Sequence, residues 1–123
     1  MTRRVLLVED EVNIIEAIRF ILVRDGWQVE AQSDGANAVS AAQAMRPDVI
    51  ILDAMLPHRS GFDILADLRA LPDFADTPIL MLTARGQAKD RELALQNGAT
   101  HYMTKPFSNA EVLDRLNTWV SAA

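Results

Sequence analysis

The chain has 123 residues, half of them apolar, which is material for one domain, residues 1–123, around a single core. Its 17 acidic and 12 basic residues leave a net charge of −5, which argues against direct nucleic-acid binding, since gripping the phosphate backbone relies on clustered Lys and Arg. The absence of cysteine excludes disulfides, thiolate metal sites and thiol nucleophiles, and no apolar run approaches the roughly 18 residues a membrane span needs. These features lead to the expectation of a cytoplasmic protein with protein partners.

In chain order, Met1 to Arg4 lead into a short apolar run rather than a signal sequence. That run, Val5-Leu6-Leu7-Val8, is apolar at every position, as in a strand buried on both faces of a parallel sheet. Ile14, Ile15, Ile18, Ile21 and Leu22 follow with helical spacing, and Gly26 can end that helix. Gln28 to Ala31 is shorter and more polar, as a flanking strand is. A second central strand is expected over Val49-Ile50-Ile51-Leu52, and Ser60 with Asp63 forms a capping-box-like helix start. Ile79 to Leu82 is the third central strand, and Thr100 to Met103 a second flanking one. Ser108 with Glu111 opens a last helix bearing Val112, Leu113, Leu116 and Val120 on one face. The pattern is (βα) five times, an α/β doubly wound parallel sheet with right-handed crossovers and helices on both faces.

Ligands of such sheets bind beyond the carboxyl ends of the strands. Glu9, Asp10 and Glu11 follow the first strand, Asp53 ends the third, Thr83 ends the fourth, and Lys105 follows the fifth. Carboxylates gathered on one rim repel each other unless they take up protons or share a cation. An all-oxygen site suits Mg²⁺ (or Mn²⁺), with Asp10 and Asp53 as ligands and the backbone carbonyl of Met55 as a third. Asp53, at the end of a rigid strand, is placed as a nucleophile for phosphoryl transfer; Lys105 can neutralise phosphoryl oxygens and the Thr83 hydroxyl can donate to one. Taken singly, each has a plainer reading. An acidic run is often a solvated helix start, Asp53 or Thr83 a cap, and Lys105 a surface charge. Their convergence on one rim decides for chemistry.

Five segments together carry a resemblance: Val-Glu-Asp-Glu at 8–11, Leu-Asp-Ala-Met-Leu-Pro at 52–57, Gly61, Leu-Thr-Ala at 82–84 and Lys-Pro-Phe at 105–107. In this order they resemble the response-regulator receiver domain of two-component signalling. The resemblance implies a flavodoxin-like fold with strand order 2-1-3-4-5, the order of the chemotaxis regulators. It implies that Asp53 accepts phosphate from a sensor histidine kinase or a histidine phosphotransfer protein, and that Glu9, through water, and Asp10 serve the metal. Thr83 and Tyr102 would be the switch residues, altering the face made by the fourth helix, fifth strand and fifth helix for a downstream target or output domain. Met55 and Arg85 would flank the site and tune the acyl-phosphate lifetime, and a cis bond is implied at Lys105-Pro106.

Thr83 to Gly86 and Lys89 to Arg91 resemble the transcription-factor branch, which implies a phosphorylation-dependent homodimer through that face, with Glu111 and Arg115 paired to Arg91 and Asp90 of a second copy. Thr100-His101 departs from that branch, which carries two acidic residues there, so part of its salt-bridge pattern is missing. Because no DNA-binding segment follows Ala123, the expectation is a stand-alone receiver or one excised from a longer protein. Two other readings compete. An aspartyl-phosphate hydrolase needs an acid two residues after its nucleophile, where this chain has Met55, and a flavin binder needs a first loop free of Glu9-Asp10-Glu11. His58 and His101 are expected to be exposed and without a role, and Trp27 and Trp119 to pack near helix ends.

Overall fold

A computed structural model describes residues 3–84 and 86–121; Arg85, expected to flank the site, lies outside the described residues. Five strands, β1 (Arg3–Val8), β2 (Trp27–Gln32), β3 (Val49–Asp53), β4 (Ile79–Thr83) and β5 (His101–Thr104), alternate with five helices. The helices are α1 (Val12–Arg24), α2 (Ala38–Met45), α3 (Gly61–Ala70), α4 (Ala88–Gln96) and α5 (Asn109–Ser121). The sheet is parallel throughout, in the order β2-β1-β3-β4-β5, as the motif resemblance implied.

The all-apolar strands have a simple physical cause. Successive side chains of a strand point to opposite faces, and both faces here are covered. Leu6, Val8, Ile50, Leu52, Ile79 and Met81 pack against Ala42 of α2, Ile64 and Leu68 of α3 and Ala94 of α4. Their sequence neighbours Val5, Leu7, Val49, Ile51, Leu80 and Leu82 face Ile18 and Leu22 of α1 and Val112 and Leu116 of α5. Each such fully buried aliphatic side chain contributes roughly 1.5–3 kcal/mol relative to exposure.

Helix ends follow the signals in part. Gly26, at φ +95°, takes up the left-handed conformation just beyond α1, and the Ser60 hydroxyl accepts the Asp63 N–H at the start of α3. Ser108 caps α5 differently from expectation: its hydroxyl accepts the Ala110 N–H, while its carbonyl takes those of Glu111 and Val112. The flanking strands also differ from their expected bounds. β2 runs from Trp27 to Gln32 because it pairs with β1 along its whole length, and Trp27, just past the end of α1, is a buried packing residue that opens the strand. β5 begins one residue late, at the point where the exposed Thr100 bonds β4 through its side chain; its hydroxyl accepts the Ile79 N–H at 3.0 Å and the Arg69 guanidinium at 3.4 Å.

At the amino ends of the strands, several half-buried polar groups are matched to partners, although Arg4 Nε is buried without one. Arg3 lies over the Trp27 ring and donates to the Asn117 side chain (2.7 Å) and the Asp25 carbonyl (2.6 Å). Asn117 accepts from Trp27 Nε1 as well and donates to Asp25 Oδ2. Towards the β4–β5 side of the same end, the Arg69 guanidinium donates to the carbonyls of Gly98 and Phe74, fastening α3 to the turn before β5.

Candidate functional site

The carboxyl ends of β1, β3 and β4 carry Glu9, Asp53 and Thr83, and the loop after β5 carries Lys105. The backbone ladder continues past the strands, with Ala54 N–H donating to the Leu82 carbonyl and Lys105 N–H to the Thr83 carbonyl. The rim is therefore rigid where the side chains leave it. Gly61 brings α3 close beneath: a Cβ there would lie 2.2 Å from the Asp53 carbonyl oxygen, a distance no larger residue can occupy. The expected cis bond is present at Lys105-Pro106.

Glu9, Asp53 and Thr83 are buried, at 0, 2 and 0 % exposure, whereas Asp10 and Glu11 are exposed. The Lys105 ammonium lies 2.9 Å from Glu9 Oε1, 3.2 Å from Asp53 Oδ2 and 3.4 Å from Glu11 Oε1. Glu9 Oε2 accepts the N–H groups of Asp10 and Glu11, while Asp53 Oδ1 accepts that of Met55 at 3.0 Å, which turns the chain back beside the Asp53 carboxylate. Burial, joined by the hydrogen-bonded Asp53 carboxyl, pushes the Glu9 carboxyl up to about 7, although Lys105 pulls the other way. For Lys105, burial works against the ammonium, but the pairing with Glu9 and Asp53 outweighs it and holds the group above its ordinary value.

This donor set fits a hard divalent cation. Glu9, Asp10 and Asp53 each offer a carboxylate oxygen within 4.8 Å of the others. Glu9 Oε1 has the Lys105 ammonium at 2.9 Å, but that one ammonium is shared among three carboxylates. Carboxylates that outnumber the ammonium on a largely buried rim leave negative charge under-compensated until a further cation or a proton reaches it.

Tyr102 is not on the rim. It is buried on β5, opposite Met81, with its ring in the core beneath α4. Of the residues expected on a dimer face, Arg91, Glu111 and Arg115 are exposed, whereas Asp90 is 5 % exposed. Of the two histidines expected to be exposed, His58 is and His101 is not. His101 is half-buried, and that burial, with Arg115 and Arg91 close by and Glu111 opposing them, lowers its basicity. His58 is exposed but paired, its Nδ1 lying 3.0 Å from Asp34 Oδ1, a contact across 24 residues that no local pattern announces.

Comparison with known proteins agrees with the geometry. A family model described as the response regulator receiver domain matches residues 5–117. The chain is 43 % identical over 112 residues to the probable transcriptional regulatory protein TcrX of Mycobacterium tuberculosis, covering 91 % of this chain and 47 % of that protein. It thus spans about half the length of the curated relatives it matches. Among solved structures, the chemotaxis response regulator CheY4 of Vibrio cholerae superposes with a TM-score of 0.90 at 33 % identity, over 97 % of this chain and 99 % of that one. The receiver domain of the sensor histidine kinase PA1611 from Pseudomonas aeruginosa, described with a magnesium ion coordinated in its active-site cleft, superposes at 0.84 with 35 % identity, over 98 % and 99 %. The chain belongs to the response-regulator receiver-domain family of two-component signal transduction, a family of signalling domains rather than conventional enzymes.

Proposed function

We propose that Asp53 is the phosphoacceptor of this receiver, taking its phosphoryl group from a sensor histidine kinase or a histidine phosphotransfer protein. The observation that carries the reading is the single ammonium of Lys105 set between the buried carboxylates of Glu9 and Asp53, at 2.9 and 3.2 Å. In the transfer, a carboxylate oxygen of Asp53 bonds to phosphorus as the bond from phosphorus to the donor's imidazole nitrogen breaks, and the electron pair leaves with that nitrogen. Lys105, already at the nucleophile, follows the charge onto a phosphoryl oxygen, and the Thr83 hydroxyl donates to another.

Asp10, Asp53 and the Met55 carbonyl would hold Mg²⁺ or Mn²⁺, with Glu9 serving it through water. The bound ion supplies charge neutralisation between the acceptor and the incoming phosphoryl oxygens. Thr83 and Tyr102 then form the switch. Thr83 at the rim and Tyr102 in the neighbouring strand connect the acceptor to the α4-β5-α5 face, which meets a downstream target or output domain. That face also supports phosphorylation-dependent homodimerisation, with Arg91, Glu111 and Arg115 as its exposed charges. The domain, taken as residues 1–123, acts in the cytoplasm, and no described helix is long and apolar enough to cross a membrane. Met55, standing two residues after Asp53, leaves no acid for the hydrolase alternative.

The test is intact-mass spectrometry after incubation with Mg²⁺ and acetyl phosphate. One phosphoryl adduct, absent from Asp53→Asn and abolished by a chelator, is the expected result. An Asp53→Asn protein phosphorylated at undiminished yield would sink the assignment.

A further inference from the structure

We propose that His58 and Asp34 form a positioning pair for the reaction at Asp53, pinning the tip of the loop between β3 and α3; the proposal rests on the phosphoacceptor reading above. The tip is a γ-turn. Arg59 N–H donates to the Pro57 carbonyl at 2.8 Å, and the central residue, His58, stands at φ +68°. Turns of this hand are rare and strained, and a residue with a Cβ persists in them only where its surroundings compensate.

The compensation here comes from the loop between β2 and α2. Asp34 Oδ1 faces His58 Nδ1 at 3.0 Å and also accepts the Ala36 N–H at 2.9 Å. A carboxylate only accepts, so Nδ1 carries the proton of this bond. The Ala36 N–H first, and His58 after it, hold the Asp34 carboxyl below its ordinary range, keeping it an acceptor. Next to it, Gly35 presses on the turn so closely that a Cβ would lie 2.7 Å from the Arg59 carbonyl oxygen. On the other side the Arg59 guanidinium is ion-paired with Asp67 of α3.

The base of the same loop is tied to the acceptor strand. Met55 N–H is held by Asp53 Oδ1, and Gly61 N–H by the Ala54 carbonyl. Residues 55–60 therefore form a short span fixed at its base by Asp53 and at its tip by Asp34, and Met55, the proposed carbonyl ligand, lies within it. His58 touches no reacting atom. Its role is to keep the Met55 peptide from drifting, and so to set how readily the site fills with metal.

The test follows phosphoryl gain from acetyl phosphate across a Mg²⁺ series, and its first-order loss, in the full chain and in His58→Gly, Asp34→Ala and Asp34→Asn, with thermal unfolding alongside. Glycine adopts φ +68° without strain, so His58→Gly should melt at or above the wild-type temperature. Its half-saturating Mg²⁺ should nonetheless rise roughly two- to tenfold, the range one hydrogen bond supports, with the maximal rate little changed. Asp34→Ala should share that rise, whereas Asp34→Asn, which keeps an acceptor oxygen for the ring, should stay within about twofold of wild type. Wild-type Mg²⁺ dependence in His58→Gly would overturn the proposal, as would a rise in Asp34→Asn equal to that in Asp34→Ala. A wild-type chain that gains no phosphoryl group at all would overturn the phosphoacceptor reading and the pair's role with it.

Discussion

The two ends of the sheet treat charge in opposite ways. At the amino end, Arg3, Asp25, Trp27 and Asn117 form a network in which the Asn117 amide both accepts and donates, and the Arg69 guanidinium is spread over backbone carbonyls. At the carboxyl end, one ammonium serves three carboxylates, two of which, Glu9 and Asp53, are buried. In the first, each of the named side chains has its partners, although the neighbouring Arg4 Nε is buried without one. The second is complete only when something positive is added, which is how a fold holds a site ready at some loss of stability.

Glu9 gives the largest effect by which this contrast can be broken. Its carboxyl is raised from 4.5 to about 7, so between those values the folded chain binds more protons than the unfolded one. Stability from this group is present at low pH and is lost as pH rises through 7. Glu9→Gln, which mimics the protonated form, should stabilise the metal-free protein at pH 8 by roughly 2 kcal/mol and flatten this part of its pH dependence. Urea unfolding at pH 5.5 and 8 reads both, and a destabilised Glu9→Gln at pH 8 would show that the rim is not strained by charge.

Asn117→Ala sharpens the comparison from the other end. It removes a partner from Arg3, Trp27 and Asp25 together, and because these groups are partly exposed the expected loss is about 1 kcal/mol. Phosphoryl gain should be unchanged, since the network lies at the far edge of the sheet. A variant that unfolds at the wild-type urea concentration, or that accepts phosphate more slowly, would erase the distinction between the two ends.

How much of this was legible in the sequence follows the same division. The central strands and the rim were readable because runs such as Val49 to Leu52 are buried on both faces, and because a charged residue at the end of such a run has only the rim to occupy. Strand order came from the motif resemblance, since alternation of strands and helices does not set it. The ends of β2 and β5 were not readable, because pairing with β1 and the bond from the Ile79 N–H to the Thr100 hydroxyl decide them. Nor was the burial of Asp90, which lies in the first turn of α4 where an acid ordinarily faces water. The His58–Asp34 contact was equally hidden. Nothing in Pro57-His58-Arg59 marks a positive φ, and the partner is 24 residues away.

The most direct test of the claim that the rim is built to receive a cation is calorimetric titration of the metal-free protein with Mg²⁺ at pH 8 and pH 6. One ion per chain should bind, more weakly at pH 6, where Glu9 holds its proton, and with affinity much reduced in Asp10→Asn. Binding that is absent at both pH values in a folded protein, or that is indifferent to Asp10→Asn, would contradict it.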